Sequence, residues 1–123
     1  MEFKYSALYV EKVKETLTFY QKTFGFDIKF IPPEENYGEL ITGNTTIPFP
    51  SFELGNSNLS NGYQASDRSG RPFGIELAFI TSDIQQDFKK AIQARSEILE
   101  PIKVKTLGQH VGYLIELATP IAI

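Results

Sequence analysis

The chain has 123 residues, one domain of ordinary length, and its 41% hydrophobic and 22% charged residues describe a globular, water-soluble composition. Fifteen acids against twelve Lys plus Arg leave a net charge of -3 and a pI near 5.2, which argues against nonspecific nucleic-acid or anionic-membrane binding. Zero cysteines exclude disulfides, thiolate catalysis and cysteine-ligated metals, and a single histidine, His110, excludes any His–His metal pair within the chain.

The opening residues Met1-Glu2-Phe3-Lys4-Tyr5 lack the basic region and apolar run of a signal peptide, so the expectation is a reduced, cytoplasmic protein. Residues 3–10 are rich in aromatic and apolar side chains and predict a strand. Val13, Leu17, Tyr20 and Phe24 then recur at helical spacing, and Gly25 stands where a C-terminal cap belongs. A strand is predicted over 26–31, stopped by Pro32-Pro33. Segments 37–42 and 45–52 flank Gly43-Asn44, a hairpin signal. Pro48 and Pro50, two apart, both lack N–H groups on one side, which predicts that 45–52 runs at a sheet edge. Residues 53–72 turn polar and are expected to form the single long loop, a linker between a first module (1–52) and a second (73–123). In the second module 73–81 predicts a strand, and Ser82 or Asp83 can cap a helix with Ile84, Phe88, Ala91 and Ile92 on its apolar face. Further strands are predicted over 97–105 and 109–121.

The halves share a plan. A shift of 71 carries Val13 onto Ile84, Leu17 onto Phe88, Tyr20 onto Ala91 and Tyr5 onto Glu76, which indicates a duplicated unit. Strand alternation places Glu76 with Ala78 and Ile80, Glu116 with Leu114 and Ala118, Tyr5 with Phe3 and Ala7, and Glu39 with Ile41. A carboxylate on an otherwise apolar face is informative because burying it without partners is costly. The ligand-binding candidates are therefore Tyr5, Glu39, Glu76, Tyr113 and Glu116, with Glu76 and Glu116 as the catalytic candidates. His110 follows Gly108-Gln109 and reads as ordinary loop structure. Neither a nucleophile elbow nor a phosphate-cradling glycine loop is present.

Several phrases in order resemble the vicinal-oxygen-chelate superfamily of glyoxalases, bleomycin-resistance proteins and extradiol dioxygenases. They are Tyr9-Val10 leading into a helix with Phe19-Tyr20 and ending Phe24-Gly25-Phe26; Tyr37-Gly38-Glu39-Leu40; Phe73-Gly74-Ile75-Glu76-Leu77-Ala78-Phe79; and Gly108-Gln109 through Leu114-Ile115-Glu116-Leu117-Ala118-Thr119-Pro120. The resemblance implies an α+β fold of two tandem βαβββ modules, their curled mixed sheets surrounding a ligand cleft, in a dimer. It also implies a divalent metal on four residues, and carries those positions onto Tyr5, Pro48, Glu76 and Glu116. Proline offers no side-chain ligand and neutral tyrosine a poor one. No tightly bound metal or other cofactor is expected, with Glu76 and Glu116 as weak metal candidates.

The tail departs from the family pattern. Gly112-Tyr113 runs into Leu114-Ile115-Glu116 without an Asp-Pro-x-Gly-like turn, so 109–121 is expected to run as one extended strand, leaving the second module a strand short. The exposed apolar edge this would create predicts a homodimer built partly on the C-terminal strand. The leading expectation is a protein that binds a small apolar or aromatic molecule in the cleft. A divalent-metal-dependent lyase or dioxygenase and a non-catalytic dimeric interaction domain are the alternatives.

Overall fold

A computed structural model of the chain describes residues 1–67, 69–116 and 119–123. It divides into two compact units, Met1–Ser66 and Asp67–Ile123, each with its own helix and sheet. Among the described residues no helix is long and apolar enough to cross a membrane.

In the first unit α1 (Val13–Phe24) buries Val13, Leu17 and Tyr20, the stripe that the helical spacing predicts. Gly25 ends it in the left-handed region (φ 75°), where its N–H reaches the Gln21 carbonyl. The sheet is antiparallel in the order β1 (Asp27–Phe30), β2 (Glu39–Ile41), β3 (Thr46–Pro48). The hairpin turns at the expected place: Thr42 N–H donates to Thr45 O at 3.1 Å and Gly43 takes φ 89°. Leu17, Tyr20, Leu40 and Phe49 are almost fully buried, with the Tyr20 and Phe49 rings 5.1 Å apart.

The strand expected over 3–10 does not form, and the prolines explain why. The N–H groups of Leu8 and Val10 donate to the carbonyls of Pro48 and Pro50 at 3.0 and 2.9 Å, in parallel register. A parallel ladder needs return donors from residues 48 and 50, and proline has none. The return bond resumes only at Phe52, whose N–H reaches Val10 O at 2.9 Å. On the opposite side Phe49 and Ser51 donate to Gly38 and Asn36. The proline-bearing segment thus borders the three-stranded sheet as expected, and on its outer side Pro48 and Pro50 accept hydrogen bonds without returning them.

The segment read as a long loop begins with a helix, α2 (Phe52–Asn58). The Ser51 side chain caps it by accepting from Leu54 N–H at 3.2 Å. Tyr63 folds back on this helix so closely that a Cβ on Gly55 would lie 2.6 Å from its oxygen, and the Tyr63 ring stacks on Tyr9 at 5.0 Å.

The second unit contains β4 (Leu77–Ala78), α3 (Ile84–Gln93), β5 (Glu97–Val104), β6 (His110–Glu116) and β7 (Thr119–Ala122). Asp83 caps α3, accepting from Gln86 N–H at 3.1 Å. Two expectations are corrected here. The strand over 73–81 contracts to two residues. The stretch 109–121 is not one strand: β6 ends at Glu116, β7 pairs with it antiparallel, and Glu116 lies opposite Thr119. Leu117 and Ala118, between them, lie outside the described residues. The unit therefore has its full βαβββ complement, and what is short is β7, four residues against seven in β6. The sheet order is β4-β7-β6-β5, with β4 parallel to β7. β7 is an interior strand of that sheet, between β4 and β6.

α1 and α3 each press a bulky side chain onto a glycine, one just before β2 and one within β6. A Cβ on Gly38 would lie 2.3 Å from Cδ1 of Leu17, and one on Gly112 would lie 2.5 Å from Cε2 of Phe88. Gly112→Ala is expected to destabilise the protein by about 1–3 kcal/mol through overpacking. Gly74→Ala, with open space around the added methyl, should be neutral. Chemical denaturation of the two variants decides it; equal midpoints would show that the helix is not held at this distance.

Candidate functional site

The glycine contacts define the two faces of each sheet. Gly38 and Leu40 face α1, so alternation turns Tyr37, Glu39 and Ile41 to the other side. Cross-strand register adds Phe30 and Pro48 opposite Glu39, and Thr46 opposite Ile41.

Around Glu39 this face builds a cluster. Tyr37 Oη donates to Glu39 Oε1 at 2.5 Å; Thr46 Oγ1 donates to Oε2 at 3.3 Å; Lys29 Nζ pairs with Oε2 at 3.2 Å. The register shift between Ile28 and Phe30 in β1 falls at Lys29. The Glu39 side chain is only 12% exposed, whereas Lys29 is 54% exposed. The Tyr37 hydrogen bond, aided by Lys29 and Thr46, holds the Glu39 carboxyl below its ordinary 4.5 against the opposing effect of burial. Burial first, then the bond to Glu39, pushes the Tyr37 phenol well up, and nearby Tyr5 raises it further. Glu39 is thus a fixed anion and Tyr37 a fixed donor across the neutral range. The surround is apolar: Phe30 and Ile41 are about half exposed, Tyr5 likewise, and the Phe30 and Tyr37 rings lie 5.7 Å apart.

In the second unit Gly112, Leu114 and Glu116 face α3, and Val111, Tyr113 and Ile115 face away. The register lines up Ala78, Ala122, Tyr113 and Glu100 across the four strands on the side away from the helix. Two residues before Ala78, Glu76 shares that side and is exposed. Lys105 Nζ lies 5.3 Å from the Tyr113 ring centre, and Lys103 pairs with Glu100 at 2.7 Å. Glu116 is buried at 5% exposure on the helix side. Within the first unit the structure therefore brings Tyr5 near Tyr37, and within the second it sets Glu76 on the side of Tyr113 and Glu116 on the opposite, helix side. His110 is exposed at the start of β6.

Four positions implied for a metal can be tested on this geometry. Tyr5 is a neutral phenol, Pro48 has no side-chain donor, and Glu116 ends the penultimate strand instead of the last one and faces α3. Among the described residues no three of His, Cys, Asp and Glu gather as a metal site. The residues present do not fit a divalent ion. A groove of about 500 Å³ beside the start of α1 is lined by Glu11, Lys12, Val13, Lys14, Glu15, Thr18 and Glu35. Four of its charged groups pair, Lys14 with Glu35 at 3.4 Å and Lys12 with Glu15 at 3.7 Å.

Tyr37, Lys29 and Thr46 were not singled out from sequence. Tyr37 and Thr46 were within reach of it, since Tyr37 is two residues before Glu39 and the Gly43-Asn44 hairpin sets Thr46 diagonal to it. Lys29 depends on an irregularity in β1 that no pattern announces.

The model of the Glyoxalase/Bleomycin resistance protein/Dioxygenase superfamily matches residues 3–119. A glyoxalase/bleomycin resistance protein/dioxygenase family enzyme from Burkholderia phytofirmans PsJN has a similar fold, with a TM-score of 0.76 at 20% identity, covering 100% of this chain and 97% of that one. A glyoxalase-related enzyme from Fulvimarina pelagi gives 0.77 at 16%, covering 99% and 87%. Hypothetical protein SA1046 from S. aureus gives 0.75 at 17%, covering 99% and 91%. No curated protein matches the sequence.

Because the folded protein lowers the Glu39 pKa, the ionised carboxylate contributes stability above its unfolded value, lost as pH falls through the folded value. Glu39→Gln should therefore be less stable than the parent at pH 7, and the gap should narrow as pH drops below 4.5. Tyr37→Phe, which deletes one charge-assisted bond, should cost about 1–2 kcal/mol at neutral pH. Thermal melts from pH 3 to 8, roughly the span of carboxylate titration, read both; a gap that widens in acid would refute the assignment.

Proposed function

The chain belongs to the glyoxalase/bleomycin resistance protein/dioxygenase superfamily, and we propose that within it this protein binds a small apolar or aromatic molecule on the Glu39 face of its first sheet. One observation carries the reading: a hydrogen-bonded, ionised carboxylate sits beside part-buried Tyr37 within a half-exposed apolar surround of Tyr5, Phe30 and Ile41. Small-molecule sites combine apolar walls with a few fixed polar groups in this way. The polar groups have no freedom to reorganise: the Tyr37 donor and both Glu39 oxygens are already held by neighbours, so little ordering cost remains to be met on binding.

The proposal includes binding without a tightly held metal, because Tyr5 and Pro48 stand at two of the positions the family resemblance assigns to ligands. Elemental analysis of protein purified without chelator is expected to find no zinc, nickel, iron or manganese approaching one ion per chain. Screening aromatic small molecules by thermal shift, followed by NMR titration, should move the Phe30, Tyr37 and Tyr5 ring resonances. A screen in which bound compounds move only resonances of the second unit would refute this placement. Stoichiometric metal would favour a metal-dependent lyase or dioxygenase instead.

A further inference from the structure

We infer that the Glu39 face is selective for ammonium ligands carrying an aromatic body, and that Lys29 is a built-in occupant which such a ligand displaces. The inference rests on the binding reading above and deepens it. The Lys29 ammonium lies 3.2 Å from Glu39 Oε2, in the strand whose next residue, Phe30, stacks near Tyr37. The contact shows directly which charge this carboxylate accepts. Three features make it exchangeable. The carboxylate is nearly buried while the lysine is half exposed, so the anion is fixed and its counter-ion is on a long flexible stem. Tyr37 and Thr46 retain their bonds to Glu39 when Lys29 leaves, so the anion is not orphaned during the exchange. And Phe30 and Tyr5, each about half exposed, supply aromatic surface beside the charge, which favours a cation with its own ring over a bare lysine stem. Lys29 itself is half exposed, so its ammonium is taken up by solvent when it leaves.

An anionic ligand is disfavoured here. Glu39 lies beneath the lysine, and an added anion would meet a negative charge as well as a positive one. A neutral ligand would have to take the place of a cation on an ionised carboxylate without supplying charge.

The test uses the full chain and three probes of one shape: 2-phenylethylammonium, 2-phenylethanol and 3-phenylpropionate, titrated by NMR at pH 7. The ammonium is expected to bind about tenfold or more tightly than the alcohol, in line with the difference a close charge pair makes. Lys29→Ala, a surface change, should tighten ammonium binding roughly threefold or more by removing the competitor. Glu39→Gln should abolish the preference for the ammonium over the alcohol. If Lys29→Ala weakens ammonium binding, or if the three probes bind alike in the parent, the inference is overturned while the binding face stands. If no probe moves the Phe30, Tyr37 or Tyr5 resonances, in either the parent or Lys29→Ala, the binding reading itself fails with it.

Discussion

Contact between one helix side chain and one bare strand backbone organises each unit. Leu17 over Gly38 and Phe88 over Gly112 bring helix and sheet closer than any side chain at the glycine would allow. The contact decides which strand face is covered, and because strand side chains alternate, it also decides which residues are left facing away. Glu39 and Tyr37 stand on the far side of the first sheet because Gly38, between them, is pinned under α1. Tyr113 stands on the far side of the second because Gly112 is pinned under α3. A register slip of one residue would exchange buried and presented sets in either sheet.

Proline chemistry then sets how far the first sheet extends. Residues 48 and 50 can accept hydrogen bonds and cannot return them, so the N-terminal segment is tied by Leu8, Val10 and Phe52 without becoming a regular strand. The equivalent strand in the second unit, β4, pairs in parallel with β7 at Leu77 and Ala78, and Phe79 N–H continues the pairing to Ala122 O. The two units share a plan and differ in the chemistry of one border. Tyr5 belongs to the less regular border, which leaves its ring half exposed beside Tyr37.

Much of this frame was legible in the sequence. The helices begin at Val13 and Ile84, the offset of 71 that the apolar pattern shows, and Leu17 and Phe88, related by that offset, make the two glycine contacts. The Gly43-Asn44 turn and the Gly25 cap lie where their residue types require. What misled was the reading of absence. No turn residues stand between Gly112 and Glu116, and the chain indeed does not turn there; β6 continues to Glu116 and β7 pairs with it antiparallel. Leu114, Ile115 and Glu116 of the family phrase therefore lie in β6, whereas the resemblance implied the last strand for Glu116. α2 was missed because Asn, Ser and Gly dominate 55–58, and the cap at Ser51 outweighs their poor helix propensity.

The duplicated frame also shows why the two halves hold their carboxylates differently. On the second sheet the carboxylates facing away from the helix are either exposed, as Glu76 is, or already paired at the surface, as Glu100 is with Lys103. Solvent screens both, so neither presents a strong field to a ligand. On the first sheet Glu39 keeps its charge while nearly buried, because Tyr37 and Thr46 replace the water it has lost. A carboxylate in that state interacts more strongly with a cation than an exposed one does, since less solvent stands between them. Equivalent backbones thus hold unequal carboxylates, and the inequality comes from two hydroxyl groups, one on the residue two before the acid and one across the hairpin.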